Sequence, residues 1–390
     1  MKKILHIVNG NVSGNARNIY EIVSLAKKKF DVTVVSENYI PKLKIFKKFN
    51  IKVIVFKKHE STLSNKILWH FFLVDYNWLN FLNNKLKNQK FDYISIQNNY
   101  LGKTILKFKK VNKLFSAKII FDIHDSLPES YISWNKNRNI FARLIFLLFT
   151  NTYRLRNYEN YMIKNSYKTL VTCIESKKKM INFYSDKIKN KIIVINNLES
   201  KEFQKKFKVK LKKTKKIRVL YFGGFAPHRG IKTLIESAFY LDKKKYEIYI
   251  IGSINNQYSK MIHKMNRPKN VKILKKINLK NLKKFLNDKT IGIVPHDANM
   301  HTNTTVPYKL SQYMSLGLPQ LVSDCDPLKR IIKDSHSGII FKSSDKFDLK
   351  EKILSFKIDL IRNLRKNSLN YFNKNNWESC EENTYLKIYE

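Results

Sequence analysis

Short runs of β-branched and aliphatic residues recur along the chain, separated by helix-length mixtures of apolar and polar positions. Runs without polar alternation suit strands buried on both faces, so the pattern predicts parallel sheets covered by helices. In the first half the predicted strands are 3–8, 31–36, 52–56, 92–97, 118–123, 169–173 and 191–196. A second series follows at 217–223, 246–252, 271–274, 290–295, 319–324 and 338–341. Between the two series the chain reads SKEFQKKFKVKLKKTKK, which is dense in lysine and lacks a turn-bounded apolar run. The expected organisation is α/β: a Rossmann-like domain over 1–200, a basic linker over 201–216 and a second Rossmann-like domain over 217–375. Open α/β sheets bind ligands beyond the carboxyl ends of their strands, so two in tandem predict a cleft with parallel sheets facing across it.

The amino end, MKKILHIVNG, starts like a signal peptide, but its apolar run is short, holds a histidine and closes at Asn9 and Gly10. It is expected to form a first buried strand. No stretch reaches the roughly 18 to 20 apolar residues of a spanning helix. A cytoplasmic protein is expected.

Composition narrows the classes. With 43% hydrophobic residues in 390, disorder is excluded as the main state, and 10 Gly, 8 Pro and 3 Cys exclude collagen-like and disulfide-framework chains. Seventy-six Lys and Arg against 30 Asp and Glu give a net charge of +46. The lysines run throughout, without a compact stripe or a nucleic-acid motif, so the excess reads as compositional drift and nucleic acid is not an expected partner. Attraction to an anionic membrane surface remains its physical consequence.

Glycine is scarce enough for its positions to matter: Gly10 and Gly14 follow the first strand, and Gly223, Gly224 and Gly230 follow the first strand of the second half. In NGNVSGNARNIYEIVSLA, Ser13 or Asn15 is a candidate helix cap. The glycines lack dinucleotide-fingerprint spacing, so a tight turn and a ligand loop both remain open. FDIHDSLPES places His124 and Asp125 at the end of the fifth strand. LYFGGFAPHRGIKTLIESA combines a strand, glycines, His228, Arg229 and a helix start, a combination suited to a diphosphate. In PHDANMHTNTTVPYKLSQYMSLGLPQLVSD, Pro307 is expected as the first helical residue with Thr304 or Thr305 as cap, giving a second anion site. Asp324 and Asp326 read as a loop start. His296 and His301 lack a third ligand, so no zinc site is expected.

Taken in order, the glycine loop, FDIHDSLPE, VINN (194–197), GGFAPHRGIKTLIESA, PYKLSQYMSLGLPQLVSD and a terminal segment from Trp377-Glu378 resemble the retaining glycosyltransferases of the GT-B fold, family 4-like. The resemblance covers essentially the whole chain. It implies transfer from a nucleotide-diphosphate sugar, with an acceptor-side first domain and a donor-binding second domain. It implies catalytic roles for His124 and Arg229. Donor contacts would come from Gly10, Gly14, Gly223, Gly224, Arg229, Gly230, Thr304, Pro307, Tyr308, Lys309 and Gln312. The leaving diphosphate would be met by fixed cations and helix dipoles, so neither metal nor cofactor is implied. The final helix, within 376–390, would return to the first domain. Thr304 and Gln312 stand where the family commonly has two glutamates, and Gly224 where it has a second cation, which points to a diverged donor specificity.

Two first-domain segments, 66–87 and 137–156, mix aromatic and aliphatic residues with Lys and Arg. The second, with Arg138, Arg143, Arg154 and Arg156 around an apolar centre, is expected to be partly exposed at a membrane. Such a protein would sit on the inner face of the cell membrane. There it would glycosylate a glycan or lipid-linked acceptor in cell-surface polysaccharide, capsule or lipopolysaccharide synthesis. The alternatives are a nucleotide-sugar epimerase of the same fold, or a non-catalytic basic protein binding membrane or nucleic acid.

Overall fold

The structure, a computed structural model, describes all residues except 39–42, 58–62, 136–139, 208–210, 255 and 278. The chain forms two compact units, one made of 1–196 with 381–390 and the other of 197–380.

In the first unit the strands are β1 (Lys3–Val8), β2 (Asp31–Glu37), β3 (Lys52–Phe56), β4 (Tyr93–Gln97), β5 (Lys118–Ile123), β6 (Lys168–Val171) and β7 (Ile192–Val194). They make one sheet in the order β3-β2-β1-β4-β5-β6-β7, with every pairing parallel. β1 and β4, whose apolar runs prompted the strand assignment, are buried almost end to end. The second unit holds β8 (Ile217–Phe222), β9 (Tyr246–Gly252), β10 (Val271–Lys275), β11 (Thr290–Val294), β12 (Gln320–Ser323) and β13 (Gly338–Phe341). Their order, β10-β9-β8-β11-β12-β13, is again parallel throughout. In both sheets the order reverses beside the first strand, between β1 and β4 and between β8 and β11. That switch point leaves a crevice at the strands' carboxyl ends.

All thirteen expected strands are present, several trimmed at their ends and two by more. The run at 169–173 stops at Val171 because Cys173 already enters the helix Ile174–Tyr184. The run at 191–196 pairs only over Ile192–Val194. The domain boundaries differ from expectation. The division falls after Asn196, and the expected linker begins with the helix Lys201–Lys206, capped by the Ser200 hydroxyl and carrying Phe203 in its buried face. Phe203 and Phe207 recur four apart, an apolar stripe hidden among the lysines. Return to the first unit begins at Glu381 rather than 376, through a widened turn at Trp377–Glu381 and the short helix Glu382–Leu386. Tyr385 and Tyr389 of this segment are fully buried, with Tyr389 against Tyr93 of β4. Among the described residues no helix is long and apolar enough to cross a membrane.

The turn leaving β8 is the tightest of the approaches that shape the second unit. Gly230 takes the left-handed conformation (φ +61°), and a Cβ there would lie 1.5 Å from the Pro295 carbonyl oxygen at the end of β11. Both the backbone angle and the space demand glycine. Gly230→Ala is expected to destabilise the unit by at least about 2 kcal/mol, seen as a lower denaturant midpoint; an unchanged midpoint would refute this account of the turn.

Candidate functional site

In the second unit the exit of β8 is tied to the helix Tyr308–Ser315. The Phe222 amide donates to the Tyr313 hydroxyl at 2.8 Å. One turn earlier on that helix, Lys309 reaches under the β8 exit. Its Nζ lies 3.7 Å above the Tyr221 ring centroid. Gly223 (φ +153°) admits it, since a Cβ there would stand 3.0 Å from Nζ. Although buried, the ammonium has no hydrogen-bond partner. Burial, and then the charge of Arg229, push its pKa well below the usual lysine range.

Arg229 closes the same corner. Its Nη1 donates to His296 Nε2 at 3.2 Å, while its buried Nε has no partner. Among the described residues neither Arg229 nor Lys309 joins an ion pair. Three histidines crowd this corner: the His228 ring stands 4.7 Å from His301 and 6.2 Å from His296, each edge to face. Burial, followed by Arg229, pushes His228 down to about 2 and His296 well below its ordinary value. These imidazoles are therefore neutral, and His296 accepts from Arg229 instead of competing with it. Burial and Arg229 disfavour the charged form of Lys309 as they do that of the imidazoles, so the corner holds Arg229 beside a lysine whose protonated form a bound anion would favour.

The helix Tyr308–Ser315 begins beside them. Pro307 is its cap residue rather than its first helical residue, and no side chain caps it. The Thr304 and Thr305 hydroxyls, expected as caps, donate back to the carbonyls of Met300 and His301 because the preceding turn, Thr302–Thr304, folds under them. The cap residue itself makes no side-chain bond into the helix, and the Leu310 amide donates to the Pro307 carbonyl; helix starts are where proteins commonly receive anions. Tyr308 is half-buried in this first turn. Gln312, in place of a family glutamate, donates to the Glu199 carboxylate at 3.1 Å. Gly224 is exposed, and its carbonyl accepts from the Tyr221 hydroxyl. Asp324, set aside as a metal ligand, accepts from the Ser343 amide.

In the first unit the loop after β1 meets the loop after β5. Gly10 (φ +136°) and Gly14 face open space. Asn11 caps the turn Val12–Gly14, and Asn15 caps the helix Ala16–Lys27. The Asn15 amide also approaches His124 Nδ1 at 3.4 Å. His124 Nε2 donates to Asp122 Oδ2 at 2.7 Å, which orients the ring. Beneath lies a charged core. Arg17 donates to Asp122 Oδ1 at 2.7 Å, to Glu21 Oε1 at 2.8 Å and to the Ile195 carbonyl at 2.6 Å. Burial opposes ionisation of Asp122, but Arg17 and His124 outweigh it and hold its carboxyl well below the usual range. Burial and the Asp122 charge raise Glu21 well above its range, so Glu21 is the protonated member of the pair. Glu21, Asp122 and His124 are close enough to resemble a metal-ligand set, but the Arg17 guanidinium bonds both carboxyls and fills that role.

The structure thus groups His124 with the glycine loop, and Arg229, Lys309, Gly223 and Gly230 around one corner. Sequence reasoning missed the roles of Tyr221, His228 and His296 as the neutral walls of that corner, and of Glu199, which stands in an unremarkable NNLES. Lys309 was among the expected donor contacts, but its place beside Tyr221 and Arg229 was not foreseen.

Comparison with known proteins bears on the fold and the family. Residues 202–375 match the family described as Glycosyl transferases group 1. The matched residues lie within the second unit, and the fold of the chain is GT-B. Among curated relatives the chain is similar to an uncharacterized glycosyltransferase, MJ1178, of Methanocaldococcus jannaschii, with 23% identity over 63% of this chain and 65% of that one. It therefore spans just under two thirds of that relative. It is also similar to an uncharacterized 41.2 kDa protein in the cps region of Klebsiella pneumoniae, 24% identical over 78% of this chain and 80% of that one. Among solved structures, sucrose-phosphate synthase from Thermosynechococcus elongatus superposes with a TM-score of 0.74 at 14% identity, covering 100% and 98% of the two chains. WaaG, a glycosyltransferase involved in lipopolysaccharide biosynthesis, gives 0.70 at 12%, covering 99% of each. Anabaena HepE in complex with UDP-glucose gives 0.67 at 12% or less, with coverage of 98% or more.

Two outcomes follow from the charged core of the first unit. Arg17→Met leaves the Asp122 carboxylate buried without its cation and is expected to destabilise by about 3 to 5 kcal/mol, measured by chemical denaturation; a loss within experimental error would refute the network. His6, fully buried on β1, is pushed down from 6.5 to about 4 by burial. The unfolded imidazole takes up a proton that the folded one refuses, so its contribution is complete above pH 6.5 and is lost as pH falls toward 4. Glu21 works in the opposite direction, so the comparison is made with His6→Leu: the wild type should lose about 1.4 kcal/mol more per pH unit than the variant across that window. Parallel curves would refute the assignment.

Proposed function

We propose that this protein transfers a sugar from a nucleotide-diphosphate donor to a glycan or lipid-linked acceptor, with retention at the transferred carbon. The observation that carries the proposal is the Arg229 and Lys309 pair, held without counter-charge beside an uncapped helix start. When the bond between the sugar and the diphosphate breaks, negative charge collects on the departing phosphate oxygens. Fixed cations and amides stabilise it there without reorganising. Arg229 and Lys309 hold the diphosphate, while Gly223, Gly224 and Gly230 let the backbone approach it. Gln312, oriented by Glu199, and Tyr308 lie toward the nucleoside. His124, steadied by Asp122, is assigned to the reacting sugar on the family resemblance, as is the Gly10 to Gly14 loop.

The binding of UDP and UDP-glucose by HepE supports a nucleotide-sugar donor. The WaaG likeness and the relative in a cps region support work in surface-polysaccharide or lipopolysaccharide synthesis. No metal is required by this chemistry, since the two side-chain cations supply the charge.

The test is thermal stabilisation by UDP, GDP and ADP. At about 100 times its Kd the matching nucleotide should stabilise by about 2.7 kcal/mol. Arg229→Ala and Lys309→Met should each abolish the shift while leaving the apo protein folded. A melting temperature that none of the three nucleotides moves would overturn the proposal.

A further inference from the structure

The helix Ile140–Phe149 has the sequence IFARLIFLLF, in which Arg143 is the only polar residue. Phe146 is buried, whereas Phe141, Leu147 and Leu148 are 70%, 61% and 69% exposed. The helix Leu63–Phe72 meets it at its carboxyl end, where exposed Phe71 is in ring contact with Phe149 at 4.7 Å. Arg154 binds the two together, its guanidinium donating to the carbonyls of His70, Phe71 and Phe149. Exposed apolar side chains of both helices are thus joined through their ends at Phe71 and Phe149. Soluble proteins rarely leave so many large apolar side chains contiguous in water.

We propose that this surface docks in the plane of an anionic phospholipid leaflet, independently of the sugar chemistry proposed above. Ten helical residues span about 15 Å, half the hydrocarbon thickness of a bilayer, so the helix lies along the interface and does not cross it. Neither helix carries an Asp or Glu. Exposed Arg143 lines a cavity of about 500 Å³ with Ile132, Asn135, Phe146 and Thr152, so the apolar surface has a cationic, polar rim at headgroup depth. A second copy of the chain would bring another +46 to this face, whereas an anionic leaflet offers acyl chains to the apolar residues and phosphates to the rim.

Because a chain of this charge adheres to any anionic surface, the test separates apolar insertion from charge. The full chain is sedimented with vesicles of phosphatidylcholine, with and without phosphatidylglycerol, at about 0.1 M and about 1 M salt, where the Debye length falls from about 10 to about 3 Å. The triple variant Phe141→Ser, Leu147→Ser, Leu148→Ser keeps the net charge, and its side chains are exposed, so its melting temperature should match the wild type. The wild type should bind the anionic vesicles and retain binding at high salt. The variant should partition at least about tenfold more weakly at low salt and lose binding at high salt. Equal binding of both proteins at each salt would overturn the proposal in favour of charge alone. A wild-type dimer that the variant abolishes, with no vesicle binding, would overturn it in favour of self-association. Leu148→Glu, placing a carboxylate on the same face, should weaken binding in the same direction, and its failure to do so would count against insertion.

Discussion

Holding the Lys309 ammonium out of water against the face of the Tyr221 ring requires a frame that cannot relax around it, and the second unit is fitted to that requirement. The frame has identifiable joints. The Phe222 amide and the Tyr313 hydroxyl fix the helix to β8, and Gly223 clears the space that the ammonium enters. Gly230 brings the following turn against the Pro295 carbonyl, which sets Arg229 beside His296. Neutral imidazoles complete the wall. Had any of them been protonated, it would have added to a repulsion that already presses on Lys309.

The first unit solves its electrostatics in the opposite way. Arg17, Asp122 and a protonated Glu21 form a closed network in which each charge is answered inside the protein. What emerges at the surface is one oriented imidazole, His124, with its Nδ1 turned to Asn15. A fully paired core positions a group; an unpaired corner invites a ligand. The two units show how the same topology accommodates both uses at its switch point.

Much of the fold was legible because parallel strands buried on both faces announce themselves as uninterrupted apolar runs, such as KILHIV and YISIQ. Helices hidden in charge were harder to see: at 201–206 the lysines masked the Phe203 and Phe207 stripe, and a linker was expected instead. Of the site, the residues tied to glycine turns, Arg229 above all, could be read from local pattern. The pairing of Lys309 with Arg229 could not, because it depends on how β8 and a helix some eighty residues later come together. Nor could Glu199 be read, since nothing in its neighbourhood distinguishes it until Gln312 donates to it. The Thr304 and Thr305 caps failed for a related reason. Both hydroxyls had a nearer carbonyl in the turn behind them than an amide in the helix ahead.

The first unit is not contiguous in sequence: residues 381–390 supply Tyr385 and Tyr389 to its interior and hold Asn196 and Ser24 through Glu381 and Glu382. On the ribosome this imposes an order of events. The first 196 residues emerge early, yet a piece of their core is synthesised only after the whole of the second unit, so the earlier unit waits with a gap beside β4 while the later one folds. The sequence places the tyrosines that close the first unit behind the completed second one. A nascent chain arrested before residue 381 would hold a folded second unit attached to an unfinished first one.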